Sequence, residues 1–269
     1  MIYVCISTVY SRLNELKKIS WLKSYNFKYV VSCQGERDES VNYYRENLEA
    51  IFGRDVQITF LEGYGLSKNR NATIDKALIF ADEGDYLYIC DDDIYLNVQG
   101  LIKAEQYCSE NDIDLLAGQV STEKGLFKDY SLNQCKLNKY NSASVSSVEM
   151  FISVNFLRRT NLKFDEKFGL GTEFPSGEEF IFCTDLIKLN GKAIYSPIVF
   201  CRHPPESSGS DFFSSTNKVR GKGAMFARVY GVGMGFIYAF AFSLFKWPKY
   251  KNVINFRAFL TQILRGVLT

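Results

Sequence analysis

The sequence predicts an α/β fold around a largely parallel sheet, and three observations carry that prediction. Over the first 120 residues, short apolar runs rich in β-branched and aromatic residues alternate with longer segments of helical pattern, as βαβ units do. The runs end in small polar or acidic residues, and open α/β sheets place ligands at the carboxyl ends of their strands. The composition, 46% hydrophobic over 269 residues, supplies a packed core and excludes a disordered or low-complexity chain.

Each element follows from its local pattern. "IYVCIST" reads as the first strand, "SRLNELKKISWLKSY" as a helix and "KYVVSCQG" as the second strand. "DESVNYYRENLEAIFG" is a helix closed by Gly53, "VQITFLEG" a third strand, "LSKNRNATIDKALIFA" a helix and "YLYICDDD" a fourth strand. Ser7, Thr8, Gln34 and the three aspartates Asp91, Asp92 and Asp93 would then gather at one sheet edge. The pattern loosens from about residue 100, with a helix near 100–110, the strand "IDLLAGQVS" and a polar stretch before "VEMFIS". A Gly-rich loop, a helix opening at "GEEFIFCTDLIKLNG" and the strand "AIYSPIVFCRH" complete the body.

Charge divides the chain more sharply than its net of +2 suggests. Residues 212–269 hold no Asp or Glu and nine Lys or Arg, whereas the preceding body is acidic. Two segments follow: a domain over 1–210 and a basic, aromatic helical tail over 211–269, a split that points the tail at an anionic partner. Truncation near residue 211 is expected to leave a soluble domain. The seven cysteines are scattered without a C-x-x-C pair, which argues for reduced thiols and against a disulfide framework or a structural zinc site. The N-terminus enters a strand at once, with no secretory signal in view.

Four stretches carry chemistry. Adjacent carboxylates repel, so Asp91-Asp92-Asp93 at a strand end needs water or a bound cation; Mg²⁺ or Mn²⁺ suits two carboxylates plus phosphate oxygens. In "GLSKNRNATIDKA", Ser67 is placed to cap a helix whose first turns present Arg70 and Asn71. In "SGEEFIFCTDL", Glu178 and Glu179 open a helix, where the macrodipole favours acids in any case. In "FCRHPPESSGS" the single histidine, His203, ends a strand; imidazole is a ready metal ligand.

The order of "IST", "VVSCQGERDES", "GLSKNRN", "YICDDDI", "FGLGTEFPSGEEF" and "CRHPPESSGS" resembles the family 2 glycosyltransferases with the GT-A fold, over residues 1–210. The resemblance implies a three-layer GT-A sandwich with a C-terminal helical tail. It implies that Asp91 and Asp93 face the metal, that Asp91 and Asp92 meet the donor diphosphate, and that His203 completes the metal site. It makes Glu179 the catalytic base, with Glu178 beside it for acceptor hydroxyls, and leaves Ser7, Thr8, Gln34, Ser67, Arg70 and Asn71 on the donor. Many relatives carry Asp-Asp-Gly-Ser after the second strand, where this chain has Cys33-Gln34-Gly35-Glu36; a Gln amide can still meet a pyrimidine edge, as in a UDP-linked donor.

The function this implies is metal-dependent, inverting transfer from a nucleotide-diphosphate sugar to a glycan or lipid-linked glycan in surface polysaccharide assembly, without nucleic acid. A metal-dependent sugar nucleotidyltransferase and a non-catalytic carbohydrate-binding protein are the rival readings. The tail carries a 15-residue uncharged run, "GVGMGFIYAFAFSLF", shorter than the roughly 20 residues that span a bilayer. Flanking Lys, Arg and Trp suit an interfacial helix, which places the protein in the cytoplasm, peripheral at the inner face of the cell membrane. In the closing segment Phe256, Phe259, Leu260, Ile263 and Leu264 form a second helical stripe.

Overall fold

The computed structural model describes residues 1–18, 27–204 and 211–269. Among the described residues ten strands form one sheet in the order β3-β2-β1-β4-β9-β6-β10-β5, with β7 on β6 and β8 on β10. β1 (Ile2–Val9), β2 (Phe27–Gln34), β3 (Gln57–Phe60) and β4 (Tyr86–Asp91) are mutually parallel, as the alternating pattern predicts. β9 (Met150–Ser153) then runs antiparallel between β4 and β6 (Leu115–Thr122), which makes the whole sheet mixed. β10 (Ala193–Arg202) returns parallel to β6 with register shifts between Tyr195 and Cys201. Pro197 lies inside that interval and cannot donate to a ladder, which accounts for the irregularity. β5 (Tyr95–Leu96), β7 (Gly125–Leu126) and β8 (Cys135–Lys136) are two-residue antiparallel additions.

Side-chain alternation along β1 sets the layers. Ile2, Val4 and Ile6 share an apolar cluster with Leu13 and Leu16 of α1 (Leu13–Lys18), with Tyr44, Leu48 and Phe52 of α2 (Val41–Phe52), and with Leu101, Ala104 and Cys108 of α4 (Val98–Asn111). On the opposite face, Tyr3 Oη donates to the Phe80 carbonyl and Cys5 Sγ to that of Thr73, both on α3 (Leu66–Phe80). Alternate residues of a strand point to opposite faces, so one strand binds both helical layers. The helix expected over 11–25 is described only to Lys18; its remainder, like the "PESSGS" stretch at 205–210, lies outside the described residues.

Two compact units emerge. The first comprises the described residues within Met1–Tyr64, Lys68–Lys163 and Cys183–Pro205, and holds the entire sheet together with α5 (Val154–Thr160). The second comprises those within Gly65–Ser67, Phe164–Phe182 and Glu206–Thr269; the boundary cuts α3 and α6 (Glu178–Lys188). Within the second unit, α7 (Thr216–Tyr230), α8 (Val232–Tyr250) and α9 (Phe256–Val267) share one core with Phe168, Phe174, Phe180 and Ile181. The tail is therefore packed together with a segment that precedes residue 211. The α9 stripe is used in this packing, Phe259 and Ile263 being fully buried.

Candidate active site

In the first unit, strand register assembles the predicted edge. Ser7 lies opposite Asp91 across the β1–β4 ladder, and Val9 opposite Gln34 across β1–β2. Asp92 and Asp93 occupy the turn after β4, and His203 follows the last residue of β10.

The three aspartates differ in environment. Asp92 is buried; Thr8 Oγ1 donates to its Oδ2 at 2.6 Å and Arg12 Nη2 lies 2.9 Å from its Oδ1. Burial pushes its carboxyl up to about 6, against the pull of Thr8 and Arg12 and with a further push from Asp93 and Asp91. Asp91 and Asp93 are the accessible pair, with side chains 31% and 32% exposed. Arg70, itself 2% exposed, donates from Nη2 to Ser147 Oγ at 2.6 Å and reaches Asp91 Oδ1 at 3.4 Å. Arg12 also reaches Asp93 Oδ2 at 3.0 Å. Like-charge repulsion at the strand end is thus offset inside the protein by two guanidinium groups.

His203 bears on metal binding through its tautomer. Its Nδ1 lies 2.5 Å from the Pro204 carbonyl, which can only accept, so Nδ1 carries a proton and Nε2 is the nitrogen left to bind a cation. Nε2 stands 3.4 Å from Asp93 Oδ1, a buried oxygen that accepts no hydrogen bond among the described residues. An imidazole nitrogen and a carboxylate oxygen at that distance can share a cation, and the carboxylates of the turn suit Mg²⁺ or Mn²⁺. Among the described residues no three His, Cys, Asp or Glu side chains stand close enough to cage a metal. A cation here would rely on ligand oxygens and water for the rest of its shell.

Several polar side chains are buried beside these strand ends. Asn69 Nδ2 donates to the Thr8 carbonyl at 2.9 Å, tying α3 to the end of β1. Ser7 Oγ and Asn69 Oδ1 are buried without a hydrogen-bond partner among the described residues, an arrangement that costs stability unless something fills it. Gln34 and Asn71 are buried as well.

The second unit holds the other predicted residues. Ser67 does not cap α3: the helix begins at Leu66, and the Ser67 hydroxyl donates to the Phe168 carbonyl instead. Gly177 has φ +107°, a left-handed conformation that favours glycine, and Met225 Sδ lies 2.8 Å from where a Cβ would stand. Glu178 is buried and Glu179 half-buried in the first turn, where the helix dipole favours both anions. Lys222 lies three residues before Met225 on α7 and so shares its face. Burial draws its ammonium below the ordinary lysine range, Glu179 and Glu178 raise it, and Lys246 lowers it.

Arg12, Asn69, Ser147 and Lys222 were not singled out by the sequence. Arg12 reads as an ordinary helix-start cation and Lys222 as one of nine tail cations; only three-dimensional proximity to carboxylates distinguishes them.

No protein-family model matches the chain, and no curated protein matches it by sequence. Solved structures do resemble it. S. aureus TarS residues 1–349 aligns with 100% of this chain and 80% of that one at 17% identity and TM-score 0.64. TarS 1–349 in complex with UDP-GlcNAc aligns with 99% and 83% at 17% identity and TM-score 0.60. The mannosyltransferase PcManGT from Pyrobaculum calidifontis, in complex with GDP-Man and Mn²⁺, aligns with 99% and 72% at 14% identity and TM-score 0.50. Likeness to these GT-A-type glycosyltransferases, spanning the whole chain, shows the architecture: the chain has the GT-A fold.

Proposed function

We propose that this protein is a metal-dependent, inverting glycosyltransferase that moves a sugar from a nucleotide-diphosphate donor to a glycan or lipid-linked glycan acceptor, in surface polysaccharide assembly. The observation that carries the reading is the approach of His203 Nε2 to Asp93 Oδ1 at 3.4 Å, two residues along the turn from the accessible Asp91, at the sheet edge where open α/β sheets bind ligands. The structural neighbours support it through their ligands, which include UDP-GlcNAc, GDP-Man and Mn²⁺. Because both uridine and guanosine donors occur among them, the pyrimidine preference rests on Gln34 alone.

In this reading Asp93 and His203 would hold Mn²⁺ or Mg²⁺ directly and Asp91 would reach it through a bound water; the ion, when bound, would neutralise the charge on the departing diphosphate. Ser7, Thr8, Gln34, Ser67, Arg70, Asn71 and Asp92 orient the donor. Glu179 accepts the proton of the acceptor hydroxyl as that oxygen bonds to the anomeric carbon and the bond to the diphosphate breaks. Glu178 holds acceptor hydroxyls. The acid-free tail turns to an anionic membrane, with the enzyme peripheral at its cytoplasmic face; among the described residues no helix is long and apolar enough to cross a membrane.

A panel of nucleotide-diphosphate sugars, with and without Mn²⁺, tests the donor site by thermal shift, since a ligand of the native state raises apparent stability. One donor should stabilise the parent more with Mn²⁺ than without, and Asp93→Asn should abolish the metal-dependent increment. An equal increment in Asp93→Asn would overturn the metal assignment.

A further inference from the structure

Helix α8 presents two unlike faces. Gly235, Ala239, Ser243 and Tyr250 are buried against the rest of the unit, with Tyr250 stacked on Phe259 at 3.8 Å between ring centroids. The opposite face exposes Ile237, Phe240, Leu244 and Phe245, the last 78% exposed. Positions 237, 240 and 244 are spaced by three and four residues and so form one stripe. At the C-terminal end of the stripe, Lys246 lies over the rings of Phe242 and Phe245, and exposed Lys249 and Lys251 follow. None of these three lysines forms a salt bridge among the described residues. Other tail cations are engaged: Arg228 with Asp165, Lys218 with Asp211 and Arg220 with Gln262.

We infer that α8 lies in the plane of an anionic lipid surface, with Ile237, Phe240, Leu244 and Phe245 entering the headgroup–acyl boundary and the exposed Lys249 and Lys251 meeting lipid phosphates. This deepens the membrane reading of the tail and rests on it. Exposed rings and aliphatic chains gain by leaving water, and clustered cations gain at an anionic surface. A second copy of the chain is a poorer occupant of the same face. A two-fold contact sets a patch against itself, so the lysines of both copies would converge with no Asp or Glu after residue 211 to neutralise them.

Flotation of the full chain with vesicles tests this, using zwitterionic lipid alone and lipid enriched in phosphatidylglycerol. The parent should float with the anionic vesicles, and added salt should reduce binding. Two variants should each bind at least about tenfold more weakly: Phe240→Ser with Leu244→Ser and Phe245→Ser, and Lys249→Gln with Lys251→Gln. The altered side chains are all exposed, and unchanged circular dichroism and unfolding curves confirm the fold. Parent-like binding by both variants would overturn the α8 assignment and leave the membrane reading standing; failure of the parent to bind any vesicle would overturn both. A parent that dimerises without vesicles, and a serine variant that is monomeric, would show the face to be an interface between copies.

Discussion

At the scale of single residues, the acids divide by what surrounds them. Asp92 is committed to Thr8 and Arg12, whereas Glu178 and Glu179 stand by Lys222. That the triple aspartate marks a site was legible, because like charges in sequence demand compensation. Which aspartate is buried was not, since Thr8 lies 84 residues from Asp92 in sequence and Arg12 is nearly as distant. Glu179→Gln keeps side-chain size but cannot accept a proton, so kcat should fall about a hundredfold or more while donor affinity with Mn²⁺ is retained. Retained turnover would remove Glu179 as the base.

At the scale of elements, long periodic segments were legible and short ones were not. α2 and the parallel strands declare themselves through sustained apolar period and turn residues, α3 through its length between two strands, and the spacing of Phe259 and Ile263 marks the buried face of α9. β5, β7 and β8 have two residues each, too few to carry a period, and pairing with distant strands alone creates them. Nor could the pattern separate the glycines of α7. A Cβ on Gly223 would lie 1.9 Å from the Ile263 carbonyl oxygen, and one on Gly266 of α9 would lie 2.0 Å from that of Arg220, so the two helices meet backbone to backbone. A Cβ on Gly221 would meet nothing closer than Phe174 Cβ at 3.4 Å. Gly223→Ala should therefore destabilise by about 1–3 kcal/mol or more, as overpacking against unyielding backbone does. Gly221→Ala should be neutral or stabilise by up to about 1 kcal/mol through helix propensity. Denaturant titration of both variants checks the pair, and equal effects would contradict the close approach of α7 and α9.

For the molecule as a whole, the question is whether the basic tail is an appendage. Charge composition divides the chain near residue 211, and on that basis alone the preceding residues would fold by themselves. Packing divides it elsewhere: Phe168, Phe174, Phe180 and Ile181 from the body share their core with Val219, Met225, Phe226, Phe259 and Ile263 from the tail. Charge and packing answer to different physics, since the sign of a surface residue reports what it meets in solvent while contact reports what shields apolar area from water. Removing residues after 211 would leave four large buried side chains of the body without their partners, and each such side chain stabilises by about 1.5–3 kcal/mol when buried. That loss is comparable with the whole stability of a typical domain. The truncated chain should therefore be recovered mainly in the insoluble fraction, or bind a hydrophobic dye strongly when soluble, while the full chain does neither. A truncated chain that is soluble, binds no dye and unfolds as cooperatively as the parent would show that the Phe164–Phe182 segment holds its structure without α7, α8 and α9.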